Sequence, residues 1–122
     1  MTATAANSPS VVLIVEDEEE SRETLRELLE LEGLVVQTAA NGREGLDAIA
    51  ALDGRLCVVL LDLFMPVMDG WQVVDALRRE GRLGSVRVVI VTSAAHRAPP
   101  GVPVLEKPLD IARLMEAIQQ TC

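Results

Sequence analysis

The stretch Val58-Val59-Leu60-Leu61-Asp62-Leu63-Phe64-Met65-Pro66-Val67-Met68-Asp69-Gly70 decides how this chain folds. Four aliphatic residues run straight into a carboxylate, and chain-breaking residues follow at once. An apolar run this short and without alternation predicts a strand covered on both faces, as in parallel sheets packed between helices. Asp62 then falls at the carboxyl end of that strand. In open α/β sheets this edge is where ligands bind, because the loops diverge there and leave a crevice. Pro66 and Asp69-Gly70 keep the residues after Asp62 out of regular structure, which presents the carboxylate on a loop. Taken alone, Asp62 is as consistent with a cap for the next helix as with a ligand site. The rest of the chain separates the two readings.

Upstream, Val11-Val12-Leu13-Ile14-Val15 is a second buried-strand run, and it too ends in acid, Glu16-Asp17-Glu18-Glu19-Glu20. Leu25, Leu28 and Leu29 then recur at helical spacing, and Gly33 closes the helix. Leu34 to Thr38 reads as a strand and Asn41-Gly42 as a break. Leu46, Ile49 and Ala50 mark a helix ending near Asp53-Gly54. Downstream, Trp71 to Arg79 is a helix with Val73, Val74 and Leu77 inward. Val86 to Val91 is a strand with Thr92-Ser93 at its end. The segment Ala94-Ala95-His96-Arg97-Ala98-Pro99-Pro100-Gly101 has too many breakers for more than one helical turn. Val102 to Leu105 reads as a short edge strand that tolerates Pro103. After Lys107-Pro108, a final amphipathic helix carries Ile111, Leu114, Met115 and Ile118 on one side. Five strands alternating with helices predict a parallel α/β sandwich.

Length and composition narrow the function. The 122 residues suit one domain, with room for a core but not for a core plus an output module. The expected division is a disordered tail over 1–9 and a folded domain over 10–122. A formal net charge of −8 argues against direct binding to nucleic acid, which needs clustered Lys and Arg. No apolar run approaches a membrane span and no signal-peptide pattern opens the chain, so a cytoplasmic location is expected. Cys57 and Cys122 lack metal-ligand spacing and suggest no disulfide framework, which fits a reducing compartment.

The strand ends carry the chemistry. They hold Glu16 and Asp17, Asp62, Thr92 and Lys107. In a parallel sheet these collect on one edge. Three carboxylates held together repel one another unless protonated or bound to a cation. An all-oxygen site needing few carboxylates suits Mg²⁺. Asp62 is then a carboxylate nucleophile for a phosphoryl group. Lys107 and the Thr92 hydroxyl would meet the charge that spreads onto the equatorial oxygens. Singly, these residues read as an acidic first helical turn, a turn hydroxyl and a solvated lysine. Their conjunction at successive strand ends favours the functional reading.

Glu16-Asp17, Leu61-Asp62-Leu63-Phe64-Met65-Pro66-Val67-Met68-Asp69-Gly70, Val91-Thr92-Ser93 and Glu106-Lys107-Pro108 resemble the acidic pair, phosphoacceptor motif, switch hydroxyl and Lys-Pro of bacterial two-component response-regulator receiver domains. The resemblance covers residues from about 10 to about 120. It implies a (βα)5 flavodoxin-like fold, a three-layer sandwich with a five-stranded parallel sheet in the order 2-1-3-4-5. It also implies that Asp62 accepts a phosphoryl group from a histidine kinase or histidine phosphotransfer protein. Mg²⁺ would be held directly by Asp17, Asp62 and the backbone carbonyl of Phe64, and through water by Glu16. The Lys107-Pro108 bond is expected to be cis. The chain would be a stand-alone switch rather than an enzyme with turnover, its self-catalysed chemistry limited to phosphoryl transfer and autodephosphorylation. It would pass its state to a downstream protein that the sequence does not identify.

Two departures qualify the resemblance. The helix between the fourth and fifth strands, which normally relays the signal and builds the common dimer face, is short or missing, so a monomer or weak dimer is expected. Val104 also stands where the fifth strand usually bears an aromatic switch residue. Phosphorylation is therefore expected to order or shift the 93–101 loop instead. Neither Phe64 nor Ala94, which flank the expected path of water to the acyl phosphate, can orient that water, so slow self-dephosphorylation is expected. The competing reading is a pseudo-receiver, an interaction module that is never phosphorylated. Trp71 reads as a half-buried packing residue and His96 as solvated.

Overall fold

The structure, a computed structural model, describes residues 11–122. The tail expected over 1–9 lies outside the described residues. Five strands, β1 (Val11–Val15), β2 (Val35–Ala39), β3 (Leu56–Leu61), β4 (Val88–Thr92) and β5 (Val104–Glu106), form one parallel sheet in the order β2-β1-β3-β4-β5. Four helices complete it: α1 (Glu19–Leu31), α2 (Gly42–Leu52), α3 (Gly70–Arg79) and α4 (Ile111–Thr121). The fold is the flavodoxin-like three-layer sandwich that the alternation of strands and helices predicts.

Successive strand residues point to opposite faces, so each apolar run supplies two cores. Leu13, Val15, Val59, Leu61 and Ile90 pack with Ile49, Leu52, Val73 and Leu77 of α2 and α3. Val12, Ile14, Val58, Leu60, Val89 and Val91 pack with Leu29 of α1 and with Leu114 and Ile118 of α4. Full burial of each such side chain contributes about 1.5–3 kcal/mol, which is why the central strands contain no polar residue before their last position. Edge strand β2 instead alternates between exposed and covered positions.

The helix ends follow local chemistry. Asn41 caps α2 by accepting from the Glu44 N–H, while the Glu44 carboxylate accepts from Ala40 N–H. Asp69 and Gln72 form a reciprocal capping box at α3. Asp110 caps α4 by accepting from the Ala112 and Arg113 N–H groups. The cap of α3 is thus Asp69, which leaves Asp62 free of that duty.

Between β4 and β5 there is one 3₁₀ turn, Ala95–Arg97, where the family has a helix. Strand β5 begins at Val104 rather than Val102. Pro103 has no N–H for the ladder, and only its carbonyl takes part, accepting from Ile90 N–H at 2.8 Å. The two cysteines correct the expectation of separate thiols. Cys57, the second residue of β3, and Cys122, just beyond α4, are joined by a disulfide with a Cα–Cα separation of 5.5 Å. Helix α4 runs back against the strand direction, so its end returns to the edge of the sheet where β3 starts.

Candidate functional site

The sheet's own hydrogen bonds bring the strand ends into line. Beyond the last ladder pairs, Glu16 N–H donates to the Ala39 carbonyl, Asp62 N–H to the Val15 carbonyl and Lys107 N–H to the Thr92 carbonyl, at 3.0, 3.0 and 2.9 Å. The first residues past β1, β3 and β5 are therefore held side by side. One carboxylate oxygen from each of Glu16, Asp17 and Asp62 lies within 4.8 Å of the others. The Lys107 ammonium donates to Glu16 Oε1 at 3.0 Å and stands 3.6 Å from Asp62 Oδ2.

Glu16 and Asp62 are each 8% exposed, so both charges are nearly out of water and need partners. Asp62 Oδ1 accepts from Leu63 N–H at 2.8 Å and Glu16 Oε2 from Glu18 N–H at 3.1 Å. Burial works against the Lys107 ammonium, but the hydrogen bonds and charges of Glu16 and Asp62 outweigh it and lift its pKa above the ordinary lysine value. Asp17 lies on the exposed rim. Desolvation, together with the hydrogen bond and negative charge of Glu16, raises its carboxyl above the ordinary aspartate range.

The carboxylates of Glu16, Asp17 and Asp62 and the ammonium of Lys107 thus come together, and the backbone of Thr92 ends on the same edge of the sheet. Thr92, the last residue of β4, is fully buried, and its Oγ1 accepts from Ala94 N–H at 3.1 Å. The Lys107-Pro108 peptide bond is cis. Phe64 is 44% exposed two residues beyond Asp62, and its ring meets Trp71 edge-on at 5.2 Å. His96 is exposed.

Several supporting residues were not read from the sequence. Arg22, on α1, donates to the carbonyls of Glu16 and Asp17 at 3.0 and 3.3 Å, which fixes the acidic turn from behind. Only its place one helical turn into α1 hinted at this. Gly70 donates to the Leu63 carbonyl at 2.9 Å and packs so closely on the turn after Asp62 that a β-carbon would strike the Asp62 carbonyl. The Asp-Gly pair marked a turn but not this approach. Arg97 stacks its guanidinium over both Phe64 and Trp71, at 5.5 and 5.2 Å, while the Trp71 indole N–H donates to the Arg97 carbonyl at 2.9 Å. The Arg78 guanidinium donates to the Pro100 carbonyl. Together these bonds moor the loop between β4 and β5 onto α3.

Comparison with known proteins accords with this geometry. Residues 12–119 match the response regulator receiver domain family, and the chain belongs to it. Among its relatives is the transcriptional regulatory protein PcoR of Escherichia coli, 32% identical over 113 residues, covering 88% of this chain and 49% of that protein. The chain spans about half the length of such curated relatives. Similar solved structures include the receiver domain of the hybrid histidine kinase CckA, with a TM-score of 0.77 and 32% identity over 91% of this chain and 97% of that one. Another is the response regulator TrrA of Thermotoga maritima, solved in complex with Mg²⁺-BeF, with a TM-score of 0.80 and 26% identity over 93% and 99% of the two chains. Receiver domains are signalling switches rather than enzymes with turnover, and they interact with histidine kinases or phosphotransfer proteins. Among the described residues no helix is long and apolar enough to cross a membrane.

Proposed function

We propose that this chain is the phosphoacceptor of a two-component or phosphorelay pathway, a cytoplasmic receiver domain spanning residues 10–122. In this reading Asp62 takes a phosphoryl group from a histidine kinase or histidine phosphotransfer protein, which changes how the domain binds a downstream protein. The observation that carries it is the clustering of the Glu16, Asp17 and Asp62 carboxylates, with the Lys107 ammonium against Glu16 and Asp62, at the strand ends where the fold opens.

A metal fits this donor set. Three carboxylate oxygens within 4.8 Å of one another approach the roughly 4 Å width of a Mg²⁺ octahedron, whose ligands stand at about 2.0–2.1 Å. Asp17, Asp62 and the Phe64 carbonyl would hold the ion directly and Glu16 through water. When bound, it supplies countercharge to the phosphoryl oxygens.

The protein's own groups do the rest. Leu63 N–H fixes the Asp62 carboxylate plane, and an Asp62 oxygen attacks phosphorus as the P–N bond to the donor imidazole breaks. Lys107 shifts its ammonium from Asp62 toward an incoming phosphoryl oxygen. The Thr92 hydroxyl keeps its acceptor role toward Ala94 and turns its proton to another oxygen. Because Ala94 opens the loop moored by Trp71 and Arg78, displacement of the Thr92 side chain toward that oxygen is passed through the retained bond and shifts the 93–101 segment against α3.

The 3₁₀ turn in place of a helix between β4 and β5 favours the alternative, a pseudo-receiver that binds partners without phosphorylation. The complete set of acidic, hydroxyl and ammonium groups favours the phosphoacceptor. Incubation with a small phosphodonor and Mg²⁺ should give an acid-stable, base-labile adduct that Asp62→Asn abolishes. Absence of any adduct on the unmodified chain selects the pseudo-receiver.

A further inference from the structure

We propose that Cys57 and Cys122 form a reversible thiol–disulfide latch, which fastens the end of α4 to the start of β3 and is opened by a small thiol that attacks the Cys122 sulfur. The inference is independent of the phosphoacceptor reading, since the latch lies at the edge of the sheet opposite Asp62.

Three observations carry it. The Cα–Cα separation of 5.5 Å falls in the middle of the range that disulfides adopt, so the backbone presents the two residues as a matched pair. The pair is also asymmetric. Cys57 is 4% exposed within the core shared with Val58, Leu114 and Ile118, whereas Cys122 is exposed beyond the helix. The readier approach for a thiolate from solvent is therefore at the exposed residue, with Cys57 as the leaving group. Lastly, the end of α4 has few other ties. The Arg87 guanidinium donates to the Thr121 carbonyl, and Ile118 is the last buried side chain of the helix.

Opening proceeds by exchange with a monothiol of the glutathione type or with a small dithiol. A thiolate attacks Cys122 Sγ, the S–S bond breaks, and Cys57 leaves as a thiolate that takes up a proton. A second thiolate attacks the mixed disulfide on Cys122 and releases it as a thiol. Two external thiols are oxidised to one disulfide as the protein disulfide is reduced. A small oxidised disulfide drives the reverse steps. The closed loop spans 65 residues, so opening restores considerable freedom to the unfolded chain and loosens the last turns of α4 in the folded one.

The test uses the full chain purified without reductant, followed by alkylation and mass spectrometry under native conditions. The expected result under native conditions is no reactive thiol before dithiothreitol and one, Cys122, after it, with the fold retained and the buried Cys57 thiol alkylated only once the reduced chain is denatured. Hydrogen exchange should then show amides of the last turns of α4 opening about tenfold faster or more in the reduced chain. Cys122→Ser should behave like the reduced form whether or not reductant is present. A reactive Cys122 thiol in the air-oxidised chain would overturn the proposal. So would a disulfide that yields only after unfolding, or equal α4 exchange in the two redox forms.

Discussion

The Lys107 ammonium lies 3.0 Å from Glu16 Oε1, a contact between residues 91 positions apart in sequence. The same ammonium lies 3.6 Å from Asp62 Oδ2, so one cation answers two buried carboxylates. Lys107→Ala leaves both without it. A fully buried pair broken this way costs about 3–5 kcal/mol, but Lys107 is one-third exposed, so a loss of about 1–2 kcal/mol is expected in metal-free buffer. The folded state raises the Lys107 pKa, so the contribution is complete below the ordinary lysine value and disappears as pH climbs through the raised one. Urea unfolding of the two chains at neutral and strongly alkaline pH checks both statements. Millimolar Mg²⁺ should narrow the gap at neutral pH, because the carboxylates left without the ammonium bind the cation more tightly and so gain more folded-state stabilisation from it.

Gly70→Ala tests the turn that follows Asp62. The added methyl would meet the Asp62 carbonyl and lie 2.8 Å from Leu63 Cα, where only backbone movement makes room. A cost of about 1–3 kcal/mol is expected, with a larger proportional fall in Mg²⁺ affinity because the strained residues adjoin the carboxylate itself. Calorimetric titration alongside denaturation separates the two effects. Unchanged affinity in a folded variant would show that this turn does not position Asp62.

Trp71→Phe keeps an aromatic face for Arg97 but removes the indole N–H that holds the Arg97 carbonyl. The expected global loss is about 1 kcal/mol, that of one hydrogen bond. Amide exchange over residues 94–101 should quicken more than elsewhere. Equal exchange across the chain would mean that the loop is held by other contacts.

Phe64 and Ala94 offer no hydrogen bond to a water approaching Asp62, and the Phe64 ring is already engaged by Trp71 and Arg97. In the proposed phosphoacceptor reading these two positions flank that path, and the double variant Phe64→Asn, Ala94→Glu supplies polar groups there. Once phosphorylated, it should lose its phosphoryl group about tenfold faster or more than the unmodified chain. Decay of labelled adduct, followed after removal of the phosphodonor, gives the comparison.

The strands were most legible where both faces are covered. Val11–Val15 and Val58–Leu61 read as continuous apolar runs because burial on two sides leaves no position for a polar residue. The site was legible for a related reason: polar residues that end such runs gather wherever the parallel strands end. Contacts decided by how loops lie were not. Nothing in the spacing of Trp71 and Arg97 indicates that an indole would hold the Arg97 carbonyl, nor that Arg22 would reach back to Glu16 and Asp17. The cysteine pairing was hidden similarly, because it depends on α4 running antiparallel to β3 and not on any local pattern.

Val67 has a φ of 66°, a left-handed conformation that branched side chains resist, and its side chain is largely in solvent. Residues on both sides of it contribute to the packing: Met65 and Met68 rest on the core, and the Met68 carbonyl receives the Gly42 N–H of α2. The bend at Val67 thus lies in the segment that ties the end of β3 to the start of α2 through the Gly42 to Met68 hydrogen bond. A glycine at this position would relax the bend but give the loop between β3 and α3 more conformations to choose from, so relief of local strain would come with a less fixed course for the chain beyond Asp62.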